Sequence, residues 1–251
     1  MTPAARERRL VRTPLLLISA AAWVLLVAAP AGTALATHCA AMSTAGASSF
    51  ETLDMLLMAN PPVSLMAGWA VMLAAMMAPM LIAPVRHIRD RSFSRRRVRA
   101  IALFVAGYGA VWMAAGAVLI AMALAAMMGA QGSVVPAVMV AIVALVWQCS
   151  PVKQRCLNLC HGHAELAAFG RRADAEVLGF GLAHGVWCVG TCWALMLLPL
   201  LVTRGHLAAM AAVTIWLAME RLERPMVPRW QWRGPGKARR IAVARLRTIR
   251  I

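Results

Sequence analysis

The chain has 251 residues, of which 62% are hydrophobic and only 14% are charged. Such a composition, together with a mean hydropathy of +0.72, excludes an ordinary soluble domain. The net charge of +17 does not indicate a nucleic-acid-binding protein, because the basic residues are confined to blocks between long apolar segments.

The apolar segments predict an all-α protein, a polytopic membrane helix bundle of about six transmembrane helices. A helix needs about 17 to 25 apolar residues to cross the hydrocarbon core of a bilayer. In chain order, the predicted spans are 15–36, 63–85, 100–128, 134–149, 177–202 and 207–219. The prediction therefore divides the chain into a basic N-terminal tail (1–14), a membrane domain (15–223) and a basic C-terminal tail (224–251).

The basic residues predict the orientation of this bundle. Four blocks, at 6–12, 86–99, 153–172 and 221–250, hold all but one of the 26 Lys and Arg residues. With six spans, all four blocks lie on one side, and basic loops stay cytoplasmic. We therefore expect both termini in the cytoplasm, a location in the cytoplasmic (inner) membrane, and contact of the tails with its anionic inner leaflet rather than with nucleic acid.

The first apolar segment has an alternative interpretation. A basic start, an apolar run and the small residues Ala34 and Ala36 also fit a cleavable secretory signal. We expect the segment to be retained as a helix, because its apolar run is longer than a typical signal core. Cleavage would leave the other five spans unchanged.

Three segments carry side chains that bind soft metals. Each of these residues has a structural alternative, because methionine and cysteine are common in apolar cores. At helical spacing, however, several potential ligands share one face of a helix. The candidates are Met76 and Met80 in the second span, Cys156, Cys160 and His161 after the fourth, and His184, Cys188, Cys192 and Met196 in the fifth.

The predicted topology places these three segments at a similar depth, in the cytoplasmic half of the membrane. Thiolate, thioether and imidazole ligands fit Cu(I) best and Zn(II) second. Hard oxygen ligands are nearly absent, which argues against Mg²⁺ or Ca²⁺. Thiols on the cytoplasmic side stay reduced and available as ligands. His38 and Cys39, predicted outside, form at most a weak secondary contact.

The motifs resemble a bacterial family of predicted metal-binding integral membrane proteins. The resemblance is carried by W-x-x-S-P-x-K-x-x-C-L-x-x-C at 147–160, H-G-x-x-C-x-G-x-C-W-x-L-M at 184–196, MMAPM, and the closing AAVTIWLAMERLE, and it extends from about 66 to 223. It implies a copper-handling role, with a cuproenzyme as the partner that receives the metal. Family members often carry a further cysteine at the position of Thr191, so this chain has one sulfur fewer.

Three functions follow from these residues. The leading hypothesis is a membrane copper chaperone without enzymatic activity. The first alternative is a copper or heavy-metal transporter, although the outer side offers few ligands for an exit site. The second is a membrane thiol–disulfide oxidoreductase using Cys188 and Cys192, although such enzymes normally present their cysteines to the oxidising side.

Overall fold

Every secondary-structure element in the described residues is helical, as the sequence predicts. The computed structural model describes residues 3–28, 61–128, 134–167, 169–202 and 205–232, and the single positions 234, 236, 237, 240 and 241. The elements are α1 (Pro3–Ala28), α2 (Pro62–Met77), a 3₁₀ helix (Ala78–Leu81), α3 (Ile82–Arg91), α4 (Arg97–Met128), α5 (Val135–Cys149), α6 (Pro151–Cys160), α7 (Gly170–Leu201) and α8 (His206–Leu222).

Four helical stretches among these residues are long and apolar enough to cross a membrane. They are Arg9–Ala28, Pro62–Arg91, Arg97–Ala126 and Gly170–Leu201. The pair α5–α6 makes a fifth if its two helices, bent by 67°, are one span. The sixth predicted span corresponds to α8, which has 17 residues, the lower limit for crossing. The end of the first predicted span, with His38 and Cys39, lies outside the described residues.

The second span contains a local change of helix type at the MMAPM motif. Proline has no backbone N–H and its ring disturbs the preceding turn, so it commonly kinks or interrupts an α-helix. The chain tightens into a 3₁₀ helix around Pro79 and then continues as α3. The span thus runs on to Arg91, six residues beyond its predicted end at Val85.

The most extensive helix contact is between α4 and α7. A Cβ atom added at Gly107 would lie 2.8 Å from the Leu178 carbonyl oxygen, and one at Gly185 would lie 2.9 Å from Val111 Cβ. Both distances are shorter than real contacts allow. The small residues therefore let the two backbones approach closely, as is usual for helices that pack in lipid.

Helix α6 turns back onto α7 instead of continuing α5. Ser150 is extended and caps α6, because its Oγ accepts the Lys153 backbone N–H at 3.1 Å, and Pro151 occupies the first helical position. A Cβ added at Gly190 of α7 would lie 2.7 Å from Cys156 Sγ. The cysteine helix is therefore seated directly on the α7 backbone.

Contacts bring the basic segments together at one end of the bundle. Arg96 forms an ion pair with Asp174 at the start of α7. His87 in the second half of α3 hydrogen-bonds the Ala164 carbonyl at 2.8 Å. The side chain of Asn158 donates to the Met226 carbonyl at 2.7 Å. Three of the four predicted basic blocks thus lie at one end of the bundle in their described parts.

Candidate metal site

The sulfur of Cys188 is the centre of a buried polar cluster. Cys188 lies in the middle of α7 and is 2% exposed. Tyr108 from α4 places its hydroxyl 3.3 Å from the sulfur, and Arg221 from α8 donates an Nη2 hydrogen bond to it at 3.2 Å. The Trp112 indole nitrogen lies near the same sulfur without forming a hydrogen bond to any described residue.

Two further thiols surround the same guanidinium. Cys160, the last residue of α6, is buried and close to Arg221. Cys192 lies one turn after Cys188 and donates its thiol to the Cys188 carbonyl at 3.0 Å. A guanidinium is a permanent cation that compensates negative charge on sulfur in an apolar setting. The cluster is therefore suited to a thiolate at Cys188, since the thiolate is the form of cysteine that binds metal.

His184 lies one helical turn before Cys188 on the same helix. Its ring is buried against Phe104, Tyr108 and Phe180, with centroid separations of 5.9, 6.0 and 5.8 Å. Its Nε2 has no hydrogen-bond partner among the described residues. A buried polar atom without a partner is unfavourable, so this nitrogen is a strong candidate for a ligand atom.

Other predicted ligands lie around this centre. Met76 and Met196 are fully buried in the same apolar core as the three thiols, and Met80 packs at its edge. Cys156 meets α7 at Gly190, two positions from Cys188 and therefore about 200° around the helix. Its sulfur thus approaches α7 from a different side.

Both ring nitrogens of the predicted ligand His161 lie within hydrogen-bond distance of backbone carbonyl groups. Its Nδ1 is 2.8 Å from the Leu157 carbonyl, and its Nε2 is 3.2 Å from the Arg221 carbonyl. The exposed His163 lies nearby, and partial burial, with the neighbouring His87, lowers the pKa of its imidazole. His161 therefore ties the end of α6 to the residue that contacts Cys188.

The predicted ligands lie close together in the bundle, but their side chains do not surround a common point where an ion could bind. In the part of the chain that the structure describes, no three His, Cys, Asp or Glu side chains are placed so that they could hold a metal. Arg221 occupies the space between Cys160 and Cys188. The ligand set named from the sequence therefore stays a prediction, now with defined positions for each member.

A second buried polar cluster adjoins the first through Glu220. The Lys153 ammonium forms an ion pair with the Glu220 carboxylate, and Gln148 and Trp216 donate to the same oxygen at 2.8 and 2.9 Å. A cavity of about 270 Å³ opens beside it. The Glu220 carboxylate is thus held by Lys153, Gln148 and Trp216.

Sequence reasoning did not select Tyr108, Arg221 or Lys153. Each of the three nevertheless has a feature in the sequence that could have marked it as a site residue. Tyr108 is the only tyrosine in the chain. Arg221 and Lys153 border apolar spans, where a charge is costly and indicates a partner. The partners could not be read from the sequence, because they come from helices far apart in the chain.

The fold and the cluster define the class of protein: an apolar helical bundle with buried thiols and an imidazole suited to a soft metal. The chain belongs to the PpoB2 copper chaperone family, whose model matches residues 66–239. The match extends from within α2 to beyond α8 and includes every predicted ligand. No curated protein and no solved structure matches the chain. The family predicted by resemblance is thus confirmed, and with it a copper-related chaperone role.

Proposed function

We propose that the protein is an integral membrane copper chaperone that holds Cu(I) in the buried thiol cluster and supplies it to a cuproenzyme. Cys160, Cys188 and His184 are the main ligands in this proposal. The remaining predicted ligands support the site from its periphery: Cys192, Met196, Cys156, Met76, Met80 and His161. The observation that carries the proposal is the buried Cys188 sulfur that faces a cation, Arg221.

The thiol cluster can hold either of two cations, the Arg221 guanidinium or Cu(I). A thiolate in an apolar core requires a positive charge nearby. In the metal-free protein Arg221 supplies this charge, and Cu(I), which prefers sulfur and imidazole ligands, supplies it in the loaded protein. Copper binding then displaces the guanidinium from Cys188 and gives the unpartnered His184 Nε2 a partner.

The surface of the bundle supports a membrane location. Many large apolar side chains are exposed on α1 and α5, where a soluble protein would carry polar residues. Examples are Leu17, Val24, Met139 and Leu145, all more than half exposed. Lipid tails satisfy these side chains without any polar partner.

The burial of the thiols favours a metal carrier over a thiol–disulfide oxidoreductase. The attacking sulfur of such an enzyme must reach the disulfide of its substrate. Cys188 and Cys192 are both almost completely buried, and the Cys192 thiol is engaged with a helix carbonyl. A small ion reaches such sulfurs more easily than a protein disulfide does.

Copper affinity in detergent tests this function. Cys188→Ser and Cys160→Ser should each lower the affinity for Cu(I), measured by competition with a chromogenic Cu(I) chelator, by about tenfold or more. Cys149→Ser is the matched control, because Cys149 is a free cysteine outside the cluster, and it should bind copper like the wild type. The double variant should be little worse than either single variant, because both ligands serve one ion. Independent, additive losses would contradict a shared site.

A further inference from the structure

A line of imidazole and aromatic rings connects the basic end of the bundle with the buried thiols. His163, in the loop after α6, is exposed, and its ring contacts that of His87 with centroids 4.7 Å apart. His87 contacts Phe180 at 6.1 Å, and Phe180 contacts the buried His184 at 5.8 Å. Three histidines from three separate segments thus lie in sequence from the surface to the turn before Cys188.

The hydrogen bonding of His87 leaves a ligand atom available. Its Nε2 donates to the Ala164 carbonyl at 2.8 Å, so in the neutral ring the lone pair resides on Nδ1. A backbone hydrogen bond that fixes one imidazole nitrogen and frees the other is the usual arrangement of a metal-binding histidine. Two imidazoles in contact provide a pair of nitrogen ligands, and Cu(I) is stable with two ligands.

We propose that His87 and His163 form a surface entry site that takes up Cu(I) and passes it to His184 and Cys188. This inference rests on the proposed function, since the buried cluster is the destination of the ion. Copper remains Cu(I) throughout, because only ligands are exchanged and no electron is transferred. The Cu–N bonds to His87 and His163 break, and bonds to His184 Nε2 and the Cys188 sulfur form. Cys188 binds the ion as the thiolate that Arg221 compensates in the metal-free protein, so this step releases no proton. The carrier that delivered the ion leaves when the histidines bind it.

The position of Phe180 separates the two sites. Its ring contacts both His87 and His184, so an ion that leaves the entry histidines passes this ring on its way to His184. The entry site binds the ion only temporarily, because its nitrogen ligands are weaker than the thiols. The ion moves to the buried site because sulfur binds Cu(I) more strongly than nitrogen does. Loss of the entry histidines should change how fast the buried site fills and not how much copper it holds.

Loading kinetics provide the first test. Wild-type protein in detergent is mixed with a coloured Cu(I)–bicinchoninate complex, and the loss of colour gives the rate of transfer. His87→Gln and His163→Gln should each slow the transfer by about tenfold, with the final copper content unchanged. His206→Gln is the control, because His206 bonds the Pro199 carbonyl outside this line of rings, and it should load at the wild-type rate. Wild-type rates in both entry variants would overturn the proposal.

A second test separates the entry site from the buried site. In a Cys160→Ser/Cys188→Ser background, Cu(I) alone should bind weakly with nitrogen ligands in its X-ray absorption spectrum, and adding His87→Gln should remove this signal. Absence of the nitrogen signal in that background would overturn the entry site. If the nitrogen signal is present while Cys188→Ser leaves the copper affinity of the full protein unchanged, the entry site stands and the proposed thiol site fails.

Discussion

The contact between Gly190 and Cys156 can be used to test whether α6 packs directly against the backbone of α7. In Gly190→Ala, the new Cβ would lie 2.7 Å from the Cys156 sulfur, about 0.7 Å short of an ordinary contact of 3.4 Å. The Cys156 sulfur must shift, and we expect helix α6 to move outward with it, because the added Cβ would also lie only 3.4 Å from Cys156 Cβ and the α7 backbone is fixed by its close packing on α4. Overpacking of this kind costs about 1–3 kcal/mol of the free energy of unfolding. Because Cys160 is the last residue of α6, an outward movement of this helix carries Cys160 away from Cys188. The affinity for Cu(I) should therefore fall as well.

The matched control is Gly179→Ala on the same helix, where an added Cβ meets no atom within 4 Å. Both variants gain the same helix propensity, up to about 1 kcal/mol, so their difference isolates the steric effect. The assay is thermal unfolding in detergent together with the chelator competition. If Gly190→Ala is as stable and binds copper as tightly as Gly179→Ala, then α6 is not seated on α7 as described.

Two further predictions concern charge. Lys153→Met should lower the free energy of unfolding by about 3–5 kcal/mol in a denaturant titration, because it leaves the buried Glu220 uncompensated. The double variant with Glu220→Leu should recover most of the loss, and a double variant no better than Lys153→Met would contradict this account. A reporter fused after Ile251 should behave as cytoplasmic, because the basic blocks hold this end of the bundle inside. An external C-terminus would refute the six-span topology.

Helix positions were largely predictable, because length and apolarity alone define a transmembrane segment. The predicted fourth span, 134–149, differs from α5 by one residue at its start. The third and fifth spans begin earlier than predicted, at Arg97 and Gly170. Their first turns carry polar residues, so a search for apolar residues does not include them. What the sequence pattern could not supply was the turn at Ser150, which makes α6 a separate helix lying on α7.

The candidate site was predictable as a set of side chains and not as an arrangement. Spacing identified His184, Cys188 and Cys192, because residues four apart lie on one face of a helix. It could not show that Arg221 enters between Cys188 and Cys160. That contact depends on how α6 and α8 pack against α7, which no local pattern in the sequence encodes.

The glycine contacts between α4 and α7 determine which parts of the protein can respond to copper. A slide of α4 along α7 would push side chains into the backbone at Gly107 and Gly185, so this pair acts as a rigid frame. Tyr108 and Cys188 are fixed to that frame, whereas Cys160 and Arg221 belong to α6 and α8. Any adjustment between empty and loaded forms therefore falls on these two shorter helices. If the proposed function holds, a client protein that contacts the outer surface of these two helices, at the basic end of the bundle, would meet a different surface in the loaded form.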